Sequence, residues 1–223
     1  MGLETFSFDA LSRAWEEVQE NDAEDGVMSA GVERFGRDAE DRLKELQELL
    51  VTGAYVPRDL AEVRIPKSGG ERVLNIPAVQ DRVVERCILD AVTPLVDPHL
   101  GSASYAYRPG LGVADAIGAV VALREEGLAW VLRTDVDDCF PSIRVPLARR
   151  LLAAIVDDEP LMEIVDALLG RMTVVPKRGR RPFPGLPQGA PLSPLLANLV
   201  LVSLDTRLQE AGFPVVRYAD DLV

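Results

Sequence analysis

The sequence has a single histidine, His99, and only two cysteines, Cys87 and Cys139. That excludes a disulfide framework and any usual zinc site. It has no run of eighteen apolar residues, so no membrane-spanning helix is expected. The start, MGLETFSFDA, lacks a basic stretch followed by an apolar block, so no secretory signal is visible. Met1-Gly2 hints at myristoylation, but Phe6 stands where that signal has Ser or Thr. The default expectation is a cytoplasmic protein without a membrane partner. What is present is ordinary for a globular chain: 223 residues, 48% hydrophobic and 27% charged.

Bases are outnumbered by acids, 24 to 36. The net charge is −12, which on its face argues against a nucleic-acid partner. The excess is local: residues 1–50 hold 14 acids against 5 bases, leaving 22 against 19 for the rest. Arg171, Lys177, Arg178, Arg180 and Arg181 fall within eleven residues that contain no acid. Overall charge is therefore a poor guide to partners here.

Hydrophobic spacing predicts helices over 7–21 and 37–51, the second with Leu43, Leu46, Leu49 and Leu50 on one face and Gly53 as its stop. Between them, NDAEDG reads as an acidic turn. Residues 61–77 read as a hairpin around Ser68-Gly69-Gly70. A helix over 78–96 has Val79, Val83, Cys87 and Ala91 in register, with Pro94 and Pro98 expected to end it. A loop at 101–112 leads to a helix over 113–126 with Ile117, Val120 and Val121 on its apolar face. Residues 129–135 (AWVLRTD) read as a buried strand ending in acid. Helices are expected at 145–155 and 160–170, then a hairpin over 172–185 with Lys177–Arg181 at its tip. Ser193 is the expected N-cap of a central helix that Gly212 closes. Residues 214–223 read as a strand running into a turn. Interleaved strands and helices without βαβ spacing indicate an α+β fold.

Asp135 and the pair Asp220-Asp221 each end a predicted apolar strand. An apolar strand fixes a carboxylate, and the turn after it exposes it. Converging carboxylates repel unless a cation neutralises them. Hard oxygen ligands favour Mg²⁺, and two such ions about 3.5–4 Å apart are the apparatus of nucleotidyl transfer. Taken alone, each of these Asp residues reads equally as a turn or helix cap.

Tyr218-Ala219-Asp220-Asp221, preceded by VVR, resembles the YxDD box of reverse transcriptases. RTDVDDCF around Asp135 resembles that family's first catalytic box, with Phe140 five residues on. Residues 185–198 (GLPQGAPLSPLLAN) resemble its PQG box, 104–110 (SYAYRPG) its SYGFRPG box, and Ile65-Pro66-Lys67 through Arg72 its fingers hairpin. NDAEDGVMSAGVERF is similar to the N-terminal extension of bacterial group II intron-like members. The resemblance covers nearly the whole chain, with every motif in order.

It implies a right-hand polymerase: an N-terminal helical extension over 1–60, fingers over 61–128, and a palm over 129–223 with an inserted fingers segment at about 144–190. Asp135, Asp220, Asp221 and the Val136 carbonyl would hold two Mg²⁺ ions, with Mn²⁺ able to substitute. Lys67 and Arg72 would clamp the nucleotide triphosphate, since an Arg fork pairs bidentately with phosphate. Phe140 would be the steric gate under the sugar, and Gln188 and Gly189 would line the nucleotide pocket. Arg108 would support template or fingers, and Lys177, Arg178, Arg180 and Arg181 would meet phosphate backbone. Each of these residues also has a plain reading as solvated strand, core ring or loop. The implied partners are an RNA template, a DNA or RNA primer and deoxynucleotides.

The chain stops two residues after the YADD box, where the family continues into its last palm strand, primer grip and thumb. A fragment, or one part of a larger protein, is therefore expected, with partners such as a thumb domain or a CRISPR integrase. The acidic N-terminus weakens the case for a large intron RNA and tilts the setting toward CRISPR or phage defence. The alternatives are a palm kept as a catalytically inactive nucleic-acid-binding scaffold, and a metal-dependent nuclease.

Overall fold

The apolar run after Pro194 forms α9 (Ser193–Glu210), and its buried Leu195, Leu196, Ala197, Leu199 and Leu201 make it the axis of the core. In the computed structural model, which describes residues 2–23, 28–67, 70–175, 178–182 and 185–223, eight further helices gather around this axis or beside it. They are α1 (Phe8–Ala23), α2 (Ala30–Gly36), α3 (Ala39–Val51), α4 (Val79–Val96), α5 (Val113–Glu125), α6 (Cys139–Ser142), α7 (Val145–Ala153) and α8 (Glu159–Leu169). Part of the NDAEDG stretch and Ser68-Gly69 of the first turn lie outside the described residues.

The helical core is continuous. α1 packs on α3 and α4, and α7 on α8 and α9. Trp15 of α1 meets Phe35 of α2 at 4.7 Å between ring centroids. α2 carries no strong periodic signal, and the sequence reading did not anticipate it. Ser29 caps it by accepting the Val32 N–H. Leu43, Leu46 and Leu50 of α3 are buried as expected, and Gly53 adopts φ 70° just after it.

One expected boundary holds and another moves. α4 ends at Val96 as expected, with Pro94 inside its last turn. Only one backbone N–H is lost within its last turn, and Val92 and Val96, both wholly buried, keep that turn on the core. The N-cap of α9 is Leu192 rather than Ser193, which becomes the first helical residue. The Leu192 N–H donates to the Glu85 carboxylate of α4 at 3.1 Å, so the helix start is anchored by a tertiary acceptor rather than a serine hydroxyl.

The strands form two sheets. The first has the order β2-β1-β4-β5. Strands β1 (Leu60–Lys67) and β2 (Gly70–Ile76) form the first hairpin, and β4 (Met172–Val175) and β5 (Gly179–Pro182) the second. The two hairpins join by a short parallel contact of Leu60 and Ala61 with Thr173 and Val174. The second sheet has the order β3-β7-β6, with β3 (Thr134–Asp135), β6 (Arg217–Tyr218) and β7 (Asp221–Leu222).

The strand expected over 129–135 is corrected to its last two residues, Thr134 and Asp135, and it is not buried. Trp130 is 97% exposed and Leu132 78%. Among the described residues, the pairing with β7 takes in only Thr134 and Asp135 of this segment. The apolar face expected on α5 is also open: Ile117 and Val121 face water, and Ala116 is the buried residue of that helix.

Candidate active site

β6 and β7 are joined through Ala219 and Asp220. Ala219 adopts φ 59°, the left-handed value that a two-residue hairpin loop needs at its first central position. On the other side of β7, β3 pairs so that Asp135 lies directly opposite Asp221. The Val136 N–H donates to the Asp220 carbonyl at 3.0 Å. Asp138, at φ 45°, then turns the chain into α6, which begins at Cys139 and carries Phe140. Asp135, Val136, Asp220 and Asp221 are therefore brought together by one three-stranded sheet, as the sequence led us to expect.

Asp135 and Asp221 are like charges directly opposite on paired strands, a destabilising arrangement unless a cation intervenes. Arg133 supplies a weak one, its Nη2 lying 3.4 Å from Asp221 Oδ1 in an exposed pair. The donor set is all hard oxygen and suits Mg²⁺. Among the described residues, however, no three His, Cys, Asp or Glu side chains stand close enough together to form a metal cluster.

A cleft of about 840 Å³ has Tyr107, Phe140, Gln188 and Gly189 among its lining residues, together with Asp22, Arg82 and Arg86 of the helices; Asp135, Asp220 and Asp221 do not line it. The charge of Asp220 reaches its edge: burial first, and then the Asp220 carboxylate, push the Tyr107 phenol up. The same two causes push up the Cys139 thiol, next to Phe140. Arg72 of β2 acts on Tyr107 in the opposite sense. Thus the carboxylate loop and the first hairpin both lie within electrostatic reach of one ring in the cleft wall. The side chain of Lys67, the other expected clamp, lies outside the described residues.

The loop before α9 is tied down on both sides. The Asn75 N–H of β2 donates to the Gln188 carbonyl at 2.8 Å, and the Leu186 N–H donates to the Phe140 carbonyl at 2.9 Å. Gly185 allows the second contact, because a Cβ there would overlap the carbonyl oxygens of Phe140 and Pro141. Gly189 is required for a different reason, its φ of 113°. The sequence reading gave Gly185 no role of its own; only the approach of two distant backbone segments reveals it.

Three of the residues expected at nucleic acid have protein partners, and for Arg108 this is the supporting role that the expectation also allowed. Arg108 spends all five guanidinium N–H groups on the protein: two on the Asp97 carboxylate and one each on the carbonyls of Asp97, Gly101 and Ser104. It locks the 97–108 loop and has no donor left for phosphate. In the second hairpin, Arg180 and Arg181 lie on β5 rather than at a tip, paired with Asp59 at 2.6 Å and Glu62 at 2.8 Å. Arg178 occupies the turn and makes no ion pair among the described residues, whereas Lys177 lies outside them.

Between α4 and the residue before β4 is a buried polar set that was not anticipated. Arg171 Nη2 meets Glu85 Oε1 at 2.6 Å, and the Tyr55 hydroxyl donates to Asp81 Oδ1 at 2.7 Å. Burial pushes the carboxyls of Asp81 and Glu85 up, and the phenol of Tyr55 as well. A signal was available: Asp81 and Glu85 are four apart, among the apolar residues of a predicted helix.

Comparison with known proteins agrees with this geometry. The family described as reverse transcriptase (RNA-dependent DNA polymerase) matches residues 65–223. Protein YkfC of Escherichia coli (strain K12) is 32% identical over 173 residues, 75% of this chain and 45% of that protein. The group II intron-encoded protein LtrA of Lactococcus lactis subsp. cremoris is 25% identical over 183 residues, 81% of this chain and 30% of that protein. A solved structure titled "Partial Cas6-RT-Cas1--Cas2 complex" superposes with a TM-score of 0.62 at 27% identity, covering 98% of this chain and 36% of its own. The chain thus spans less than half the length of these relatives.

Proposed function

The chain belongs to the reverse transcriptase family, and we propose that it carries the nucleotide-selecting and bond-forming centre of an RNA-directed DNA polymerase. The observation that carries this reading is the seating of Asp135 opposite Asp221, with Asp220 beside them and within electrostatic reach of Tyr107, in a cleft that Phe140, Gln188 and Gly189 also line. Its α+β fold is that of reverse transcriptase fingers and palm. In the proposed division, residues 1–60 form an N-terminal extension, 61–128 the fingers, and 129–223 the palm, with 144–190 returning to the fingers. Pairing of β4 with β1 supports that return.

Asp135, Asp220, Asp221 and the Val136 carbonyl would hold two Mg²⁺ ions. When bound, these ions would make the primer hydroxyl more acidic and stabilise charge on the transferred phosphoryl group. The chain's own residues do the selecting. Arg72, and Lys67 with it, orient the triphosphate over the cleft. Phe140 sits under the sugar and excludes a 2′-hydroxyl. Gln188 and Gly189 shape the base and sugar pocket, held in place by Asn75. Template and primer phosphates would meet bases outside this pocket, with Arg178 the best placed of those described.

The setting proposed is a group II intron, CRISPR or other defence system. The family relative encoded by a group II intron and the structural match within a Cas6-RT-Cas1--Cas2 complex support it. Primer extension on an RNA template with deoxynucleotides and Mg²⁺ tests the activity. Extension is expected from the unsubstituted chain and should disappear with Asp220→Ala at unchanged Tm. Extension that survives Asp220→Ala would overturn the assignment. Metal-independent binding of primer–template without extension would favour the scaffold reading.

A further inference from the structure

The loop that carries Asp220 is held from inside the protein by an arginine. Arg217 of β6 is 0% exposed. Its Nε donates to both Asp205 oxygens of α9 at 2.9 and 3.1 Å, and its Nη2 donates to Asp205 Oδ2 at 2.8 Å. Its Nη1 donates to Asn198 Oδ1 at 2.7 Å and to the carbonyl of Ala219, the first loop residue, at 2.9 Å. Asn198 Oδ1 also accepts the Ser104 hydroxyl, and Asn198 Nδ2 donates to the Ala106 carbonyl. The backbone of Arg217 is pinned as well: its N–H donates to the Ala103 carbonyl at 2.7 Å, and its carbonyl accepts the Tyr105 N–H at 3.0 Å.

One arginine therefore joins α9 and the β6–β7 loop through its guanidinium and the 103–107 loop through its backbone. Its single charge is balanced by a single carboxylate. The remaining contacts are charge-assisted bonds to neutral oxygens, which are short and directional. A core needing only polar satisfaction at this point could have ended the network at Asp205 and Asn198. The additional bond goes to the residue in the left-handed conformation, one step before Asp220.

We infer that Arg217 is a positioning residue: held by Asp205 and Asn198, it fixes the Ala219 carbonyl and thereby the place where the Asp220 carboxylate stands. The inference rests on the reading of Asp220 given above. It separates two roles that a buried ion pair can have. A merely structural pair can be exchanged for apolar side chains of similar size at little cost, whereas removing one partner strands a buried charge. A positioning pair tolerates the exchange in stability and fails it in function.

The test is the double variant Arg217→Met with Asp205→Leu, compared with the unsubstituted chain. It is expected to fold with a similar Tm and an unchanged exchange rate at the Ile88 amide in α4. The Val136 amide, which bonds the Asp220 carbonyl, should exchange about tenfold faster. Primer extension should slow by about 100-fold in kcat, the scale of a small misplacement of reacting groups, with little change in KM for the nucleotide. If the double variant does not fold, Arg217→Lys takes its place. Lysine keeps a charge against Asp205 but has no fork with which to reach Ala219 as well, so the same faster exchange is expected. Wild-type protection at Val136 in a folded variant overturns the inference. Should the unsubstituted chain fail to extend primers, the polymerase reading falls while the exchange measurement still decides this one.

Discussion

Around α4 and α9, apolar side chains are sealed, and most of the polar groups that enter with them find partners, Arg82 Nε, Arg86 Nε and Arg171 Nη1 being the exceptions among the described residues. Val83, Val84, Ile88 and Leu196 have no exposure, and Glu85 binds both Arg171 and the Leu192 N–H. Along α5 and residues 128–132, side chains of the same kind stand in water: Ile117, Val121, Trp130, Val131 and Leu132. The two regions are alike in composition and differ in what faces them. α4 is clasped by α1 on one side and meets α9 on the other. Among the described residues, no strand pairs with 128–133, and the ladder to β7 takes in only Thr134 and Asp135. Periodicity specifies a face, and a facing element decides whether that face is buried.

The sharpest way to break this contrast is to remove a partner inside the sealed region. Glu85→Ala leaves the Arg171 guanidinium buried and strips the acceptor from the start of α9. A loss of about 3–5 kcal/mol in urea unfolding is expected. A loss under about 1 kcal/mol would mean that the pair is solvated in solution and this part of the core is not sealed.

Gly185→Ala comes next. The added Cβ would press on the Phe140 and Pro141 carbonyls, both backbone, so neither can swing away. A cost of about 3 kcal/mol is expected. The shift should also move Phe140, so discrimination against ribonucleotides should weaken in any folded fraction. Unchanged sugar selection at reduced stability would detach Phe140 from the gate.

In the open region, Trp130→Ser should change stability by no more than about 0.5 kcal/mol, because the ring touches little and the substitution lies away from any buried partner. Aggregation on concentration, read by light scattering, should fall as exposed apolar area is removed. A cost of 2 kcal/mol or more, as large-to-small changes in a core give, would mean the ring is covered in solution and the contrast between the regions is smaller than it looks.

These differences also mark what the sequence could tell. Both hairpins, the helices α1, α3, α4, α5, α7, α8 and α9, and the meeting of Asp135 with Asp220-Asp221 were legible, because each follows from local spacing or from boxes with fixed order. Long-range partnership was not. Arg108 looks like a phosphate ligand until Asp97 and three carbonyls are seen around it. Arg217 looks like a strand base until Asp205 is found beneath it. The 129–135 segment has a buried strand's composition, but its burial depends on neighbours the segment itself does not encode. Basic residues misled most often: the same guanidinium serves phosphate or carboxylate, and only the fold says which is near.

The last test is of opposite sign and lies at Ala219, where the loop of the second sheet is held from α9 through Arg217. Glycine would relieve a left-handed residue, worth about 1–2 kcal/mol. The same change adds freedom to the unfolded chain, costing about 0.5–1 kcal/mol. The difference is about 0–1.5 kcal/mol, so Ala219→Gly should shift stability by no more than about 1.5 kcal/mol, toward stabilisation. Function should not follow stability. The Ala219 carbonyl still meets Arg217, but the loop gains conformations in which Asp220 leaves its place, so extension should slow even as unfolding is slightly delayed. If Ala219→Gly instead costs more than about 1 kcal/mol, the loop is not strained at φ 59°, and the grip of Arg217 on its carbonyl would be holding a conformation the chain already prefers.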